Sequence, residues 1–336
     1  PELEAARAAA KARAAAGPAA KPRAPAKDWL LASSSEDYTA RLWEVSSGRC
    51  RHVLKGHDQG VDGVSFSADG ASLVTGSYDK TARIWNVASG KCERTLQVPL
   101  ASPPEMLKPC FSPDGSSLLT VSVYGRGEHA SARISNLETL KWEWGSDDHR
   151  GDVLAAAFAP DGRCVATAAD DRTAMIWDVQ TAECRVVLCG HTGAVNSVAF
   201  HPQGGFVLTG SEDCTARIFK AADGEEVQRL RGHTRGVTSA AFAPNGKYVV
   251  TASSDGFAVV WNPTFGACVQ VVAAGAAVAT ACFSPDGSRI AAGSANGLVH
   301  LWNACTGELE QTLKGHAGAV TSVAFQRPAA RARPAV

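Results

Sequence analysis

The segment Thr39-Ala-Arg-Leu-Trp43 returns six more times along the chain. The later copies are Thr81-Ala-Arg-Ile-Trp85, Ser131-Ala-Arg-Ile-Ser135, Thr173-Ala-Met-Ile-Trp177, Thr215-Ala-Arg-Ile-Phe219, Phe257-Ala-Val-Val-Trp261 and Leu298-Val-His-Leu-Trp302. Their final positions are spaced 42, 50, 42, 42, 42 and 41 residues apart. A unit this short cannot bury its own apolar surface, so copies at a fixed period must stack on one another. That constraint overrides any reading of the segments as independent.

Within each period the same four short runs recur; in the second they span 61–66, 72–76, 82–85 and 92–96. Each is rich in β-branched and aromatic residues and reads as a strand. Between the first two runs lies a turn cassette: Ser67-Ala-Asp-Gly70, Ser112-Pro-Asp-Gly115, Ala159-Pro-Asp-Gly162, His201-Pro-Gln-Gly204, Ala243-Pro-Asn-Gly246 and Ser284-Pro-Asp-Gly287. Proline presets one turn dihedral and glycine accepts positive φ, which closes a tight hairpin. Four antiparallel strands per period make a blade.

These residues resemble the WD-repeat β-propellers, the family of the G-protein β subunit. The resemblance covers residues 29–325 and rests on Gly56-His57, Gly190-His191, Gly232-His233 and Gly315-His316, each at a fixed distance from a Ser-x-Asp turn and a Trp. Only Trp177-Asp178 keeps the family's second letter; Trp43-Glu44, Trp85-Asn86, Trp261-Asn262 and Trp302-Asn303 depart from it. The resemblance implies an all-β, seven-bladed β-propeller with four antiparallel strands per blade. The first-strand run ends at Phe66, Phe111, Phe158, Phe200, Phe242, Phe283 and Phe325, whereas the chain enters at Trp29 already in a second-type strand. The C-terminal run 320–325 is therefore expected to pair with 29–34 and close the ring, removing its exposed edges. The organisation expected is a basic Ala/Arg/Pro-rich tail or linker over 1–27, the propeller over 28–326 and a disordered basic tail over 327–336.

Overall charge is balanced, 33 Lys+Arg against 33 Asp+Glu, but the tails are basic and residues 28–325 hold 24 basic and 31 acidic side chains. A mildly acidic body argues against nucleic-acid binding by the propeller. No run is long enough for a membrane helix of about 20 residues. Ten cysteines look numerous, yet Cys50, Cys92, Cys184 and Cys268 each follow a repeat Trp by seven residues. Repetition explains them as reduced, packed thiols, and no zinc-like Cys/His spacing occurs. No metal and no cofactor are expected.

Ser, His and Asp at constant spacing invite a catalytic reading. A triad occurs once per active site, however, whereas His57/Asp79/Trp85, His149/Asp171/Trp177 and His233/Asp255/Trp261 repeat with spacings of 22 and 6. The expectation is a structural network in which a turn Asp and a strand hydroxyl such as Ser77 satisfy the buried imidazole and indole. His191 and Asp213 belong to a set in which Phe219 replaces the indole. His316 completes the set of Asp37 and Trp43 across the chain ends. The seventh repeat has Ala274 and Asn296 where His and Asp belong, and the third has lost all three positions, with His129 and Ser135 standing for Asp and Trp.

The third repeat also carries the length irregularities, over 99–108 and 124–131, on loops expected to emerge from one face as a raised patch. Tyr124, Arg126, Glu128, His129, Met106 and Lys108 are its candidate partner-binding residues; Tyr and Arg are enriched at hot spots. Glu36, Tyr78, Asp170 and Glu212, just before the turn Asp, are expected to add a mostly acidic rim favouring basic peptides. The function expected is a non-enzymatic scaffold for peptides or protein domains, acting as a monomer or within a larger complex, in the cytoplasm or the nucleus. A regulatory module of a larger enzyme is the alternative that the start at Pro1 motivates. A ubiquitin-ligase adaptor is disfavoured, because Ser46, Ala88, Gln180, Thr264 and Cys305 stand where such adaptors often have Arg. Residues 2–16 have high helix propensity but no apolar stripe, and are expected to form a solvated, partly helical tail.

Overall fold

A strand whose neighbours cover both of its faces must be apolar, or satisfied internally, at every position rather than at every second one. The second run of each repeat meets that demand. Leu30–Ser35 is buried along its whole length, and Ser72–Ser77, Cys164–Ala169 and Phe206–Ser211 are buried at all but their first residue. The fourth run, as in Cys184–Leu188, alternates between exposed and covered positions because only one of its faces meets a neighbour.

The computed structural model describes residues 2–16, 29–97, 104–124, 131–138, 142–145 and 148–327. They form seven four-stranded antiparallel sheets. Blade one joins 320–325 to 30–55; blades two to seven span 61–97, 104–145, 153–188, 195–231, 237–273 and 278–313. Side chains of neighbouring blades share each core. Trp43 and Val45 of blade one pack with Ala291, Leu301 and Leu313 of blade seven, and Leu42 and Leu54 pack with Leu73 and Trp85 of blade two. Each such side chain contributes about 1.5–3 kcal/mol by leaving water.

The ring closes as expected. Val320–Phe325 pairs antiparallel with Leu30–Ser35, in the register Leu31↔Phe325, Ala32↔Ala324 and Ser33↔Val323. The turn cassettes use their glycines as anticipated: Gly70 has φ +71° and donates its N–H to the Ser67 carbonyl at 2.9 Å. The recurring cysteines also find an explanation, since Trp43↔Cys50, Trp85↔Cys92, Trp177↔Cys184 and Trp261↔Cys268 are cross-strand partners at the same bulge. All ten thiols are free, and burial pushes Cys110 and Cys282 up to about 12.

Two expectations need correction. In blade three, part of the extra sequence is not loop. Pro104–Phe111 and Ser117–Tyr124 are eight-residue strands paired from Pro104↔Tyr124 onward, so the insertion lengthens the inner hairpin by continuing its ladder. The N-terminal segment is not a solvated tail either. Helix α1 (Glu2–Ala16) lies on blade six, with Ala10 buried and Leu3 and Ala6 packed against its core. The Arg7 guanidinium meets the Asp255 carboxylate at 2.6 Å, and Arg13 donates to the Thr306 carbonyl at 2.8 Å. The remaining residues of the two expected tails, 17–28 and 328–336, lie outside the described residues. Among the described residues no helix is long and apolar enough to cross a membrane.

Deleting residues 315–336 removes the inner strand of blade one and is expected to abolish cooperative thermal unfolding, since it forfeits several buried side chains at once. Deleting 1–28 should preserve the transition while costing about 1–3 kcal/mol, the scale of one partly buried ion pair and a few apolar contacts. Differential scanning calorimetry distinguishes the two; equal transitions would overturn the closure.

Candidate functional site

A buried indole N–H and both nitrogens of a buried imidazole must each find a partner. In blade two a single hydroxyl serves both rings. The Trp85 indole N–H donates to Thr75 Oγ1 at 2.8 Å, and Thr75 Oγ1 lies 2.7 Å from His57 Nε2. His57 Nδ1 is 2.8 Å from Asp79 Oδ2, whose other oxygen accepts from the Thr81 hydroxyl at 2.6 Å. A neutral imidazole with its proton on Nδ1 satisfies the chain: the indole donates to threonine, threonine to Nε2, and Nδ1–H to the carboxylate. The hydroxyl expected here, Ser77, does something else: it donates to the Gln59 carbonyl at 3.2 Å and receives the Asp79 N–H at 3.1 Å. Thr75 carries the network because it stands opposite Arg83, on the face of the sheet that Trp85 shares.

The same geometry joins His149, Asp171, Thr167 and Trp177, and again His233, Asp255, Thr251 and Trp261, with His Nε2 to Thr Oγ1 at 2.7 Å in both. Across the chain ends, His316 lies 2.9 Å from Asp37 and 2.7 Å from Ser33 Oγ, which also accepts from Trp43 at 2.8 Å. In blade five His191 keeps Asp213 and Thr209, and Phe219 fills the indole's volume without a donor. In blade seven the Ser294 hydroxyl donates to Asn296 at 2.6 Å, and His300 stacks obliquely beside Trp302 with centroids 5.3 Å apart. Blade three retains the buried Thr120, while Ser135 donates to the Leu118 carbonyl at 3.4 Å.

Electrostatics follow from that arrangement. Burial pushes His57, His191 and His316 below the usual imidazole range, against the opposing pull of their aspartates. Burial alone would raise the carboxyls, yet the hydrogen bonds they accept outweigh it and hold Asp37, Asp213 and Asp255 at about 2. The network histidines His57, His149, His191 and His233 are buried.

The loop face presents the other candidates. Glu36, Tyr78, Asp170 and Glu212 occupy one equivalent backbone position, their N–H groups tied to the carbonyls of Ala319, Gly60, Asp152 and Ala194 at 2.9–3.1 Å. Glu36, Asp170 and Glu212 are exposed and Tyr78 is half-buried, whereas the same position in blades six and seven is the uncharged Ser254 and Ala295. Lys108 donates to the Leu154 carbonyl of the next blade at 3.3 Å. Arg126, Glu128 and His129 lie outside the described residues, as do the side chains of Tyr124 and Met106.

One residue escaped sequence reasoning. At the second position of the first strand, Asn196, Thr238 and Thr321 each donate to the next blade, at Val237 O, Val278 O and Val61 O, over 3.0, 2.7 and 2.6 Å. Blade two has Asp62 there. A carboxylate cannot donate, and its buried Oδ2 has no hydrogen-bond partner. Burial raises its pKa against the pull of Lys108 and of a hydrogen bond from the Tyr78 hydroxyl, and burial together with the charges of Asp62 and Glu36 pushes the Tyr78 phenol up to about 12. The available signal was Val61-Asp-Gly63, with an acid where three other repeats have the neutral donors Asn196, Thr238 and Thr321.

Residues 152–332 match the family described as IFT122 first β-propeller, and 48–86 match the WD domain, G-beta repeat. The chain is 29% identical over 151 residues to the WD repeat-containing protein SL1-17 of Schistosoma mansoni, covering 45% of this chain and 47% of that protein. It is 28% identical over 175 residues to the nuclear distribution protein PAC1 of Coccidioides posadasii, covering 47% and 36%. A ribosome biogenesis protein WDR12 homolog of Drosophila erecta is 28% identical over 187 residues, covering 48% and 43%. The chain thus spans less than half the length of each of these relatives.

Thr75→Val leaves two rings unsatisfied and is expected to cost roughly 2–4 kcal/mol; Thr209→Val, beside Phe219, orphans one ring and should cost about half that. Urea denaturation reads both; equal losses would contradict the shared-hydroxyl network. Acidification supplies a separate check. Unfolded imidazoles bind protons near about 6.5 while those of His57, His191 and His316 resist, so stability is lost as pH falls below that value. A second loss follows as unfolded carboxyls protonate near about 3.9, and it continues until the folded Asp37, Asp213 and Asp255 titrate at about 2. Unfolding midpoints independent of pH between 7.5 and 3 would rule this out.

Proposed function

Because the chain belongs to the WD-repeat β-propeller family, we propose that it is a non-enzymatic interaction scaffold whose loop face, over blades one and two, receives a basic side chain of a protein partner. The observation that carries this reading is Asp62. A buried carboxylate oxygen without a donor costs free energy, and that cost is relieved when a lysine or arginine reaches it. Glu36 and the acidic rim continuing through Asp170 and Glu212 supply a field that attracts such a segment. A rigid ring suits the task, because its turns are fixed before the partner arrives and lose little freedom on binding. Lys108, on the neighbouring blade, and the Tyr78 hydroxyl already offset part of the charge of Asp62, and the partner's cation adds to them. The elongated hairpin of blade three, with Tyr124, Arg126, Glu128, His129 and Met106, belongs to the same proposal as a flanking contact surface.

The test uses a fluorescent array of ten-residue peptides with and without Lys or Arg. The full chain is expected to retain basic peptides, with affinity falling steeply as salt rises. The double variant Asp62→Asn and Glu36→Gln should weaken them at least tenfold while unfolding at no lower temperature than the parent. Retention unaffected by the double substitution, or preference for acidic peptides, would overturn the site.

A further inference from the structure

Blade six departs from its neighbours at two positions. In blades one, two, four and five the turn aspartate accepts from a threonine hydroxyl two residues later at 2.6 Å: Asp37 from Thr39, Asp79 from Thr81, Asp171 from Thr173 and Asp213 from Thr215. In blade six that residue is Phe257, which offers only its backbone N–H, at 3.1 Å. Two positions further on, blades one, two and five carry Arg41, Arg83 and Arg217. Each guanidinium lies over the glycine preceding the network histidine, so close that a Cβ on Gly315, Gly56 or Gly190 would collide with it. Arg217 also reaches Asp213 at 3.6 Å. Blade six has Val259 instead.

Helix α1 fills both gaps. Arg7 reaches Asp255 at 2.6 Å, with the Asp255 side chain only 2% exposed, and its guanidinium sits 4.9 Å from the centre of the Phe257 ring. Leu3 lies over Gly232, the position that the strand arginine covers elsewhere. Leu3, Ala6, Arg7 and Ala10 share one helical face, and the apolar members of that face pack on the blade-six core. The valine opposite Val259 registers the cover: Val271 is 1% exposed, whereas the equivalent Val53 and Val187 of blades one and four are 40% and 46% exposed. Two changes that removed polar groups from the strand thus made an apolar trough with one buried carboxylate at its end.

We propose that blade six carries a docking site for a helix of the pattern Leu-x2-Ala-Arg-x2-Ala, that α1 of this same chain is its occupant, and that Arg7 takes the role of the strand arginine found in blades one, two and five. Side chains hold the helix, and no strand ladder includes it, so it can leave without opening the ring. A strand-borne arginine at position 259 would compete with it for Asp255.

The experiment compares four full-length proteins: the parent, Arg7→Ala, Val259→Arg and the double variant. Amide hydrogen exchange of residues 2–16 and the thermal midpoint are measured at two protein concentrations. Arg7→Ala is expected to speed α1 exchange at least tenfold and lower the midpoint. Val259→Arg should also release α1, and in the double variant it should restore most of the midpoint that Arg7→Ala loses. Should Val259→Arg fail to fold, Arg7→Lys replaces it; a lysine that retains α1 protection supports the ion pair. Unchanged exchange in Arg7→Ala, or additive midpoint losses in a folded double variant, would overturn the proposal. So would α1 protection that rises with protein concentration, since the helix would then belong to a second copy.

Discussion

Everything in this ring depends on one antiparallel pairing, between Leu30–Ser35 and Val320–Phe325. A sheet that is apolar on both faces is stable only with a neighbour on each side, and an open arc of blades leaves its two ends bare. The closing strand is also stitched laterally: Thr321 donates to the Val61 carbonyl at 2.6 Å and Gln326 to that of Gly70 at 2.8 Å, both in blade two. Just before it, His316 reaches back to Ser33 and Asp37. The backbone ladder and the side-chain network therefore fix the same register twice.

The seven sheets tolerate different solutions to one satisfaction problem. Where all groups are present, one hydroxyl bridges indole and imidazole, as Thr75 does. Where the indole is lost, Phe219 takes its place, and Arg217, the strand arginine that blades one and two also carry, is buried between Glu226 at 2.7 Å and Asp213 at 3.6 Å. Where the histidine itself is gone, Ser294 and Asn296 close a local turn. Blade six departs furthest in kind, since part of its cover comes from outside the ring. Sheet packing is the common requirement, and the polar network adapts to what each blade retains.

Fold class, blade number and closure were legible because the period of the repeat and the two-residue alternation of strands act on every copy at once. The Trp, His and Asp positions were legible for the same reason. Thr75 was missed in favour of Ser77 because both are buried hydroxyls two residues apart on the same face of one strand, and only the register, which sets Thr75 opposite Arg83, says which of them the Trp85 indole reaches. Docking of α1 was hidden by alanine, whose small side chain packs well yet gives no contrast between apolar and polar faces. Asp62 was hidden because its meaning is relational: it matters only once Asn196, Thr238 and Thr321 are seen donating to adjacent blades.

Closure by the last strand also has a kinetic meaning during synthesis. The first complete hairpins of blade one leave the ribosome early, but the edge of Leu30–Ser35 stays unpaired until nearly 300 further residues have followed. Such a contact is as non-local as this chain allows, and non-local pairing is slow. For that whole interval the nascent arc presents a bare, apolar strand edge, the feature most prone to pairing with other chains. The polar run Ser33, Ser34 and Ser35 on that strand lowers its hydrophobicity while it waits, and in the finished ring the three hydroxyls bond to His316, Thr321 and the Gly318 carbonyl. Three serines thus keep the edge wettable before closure and recognise the correct strand at closure.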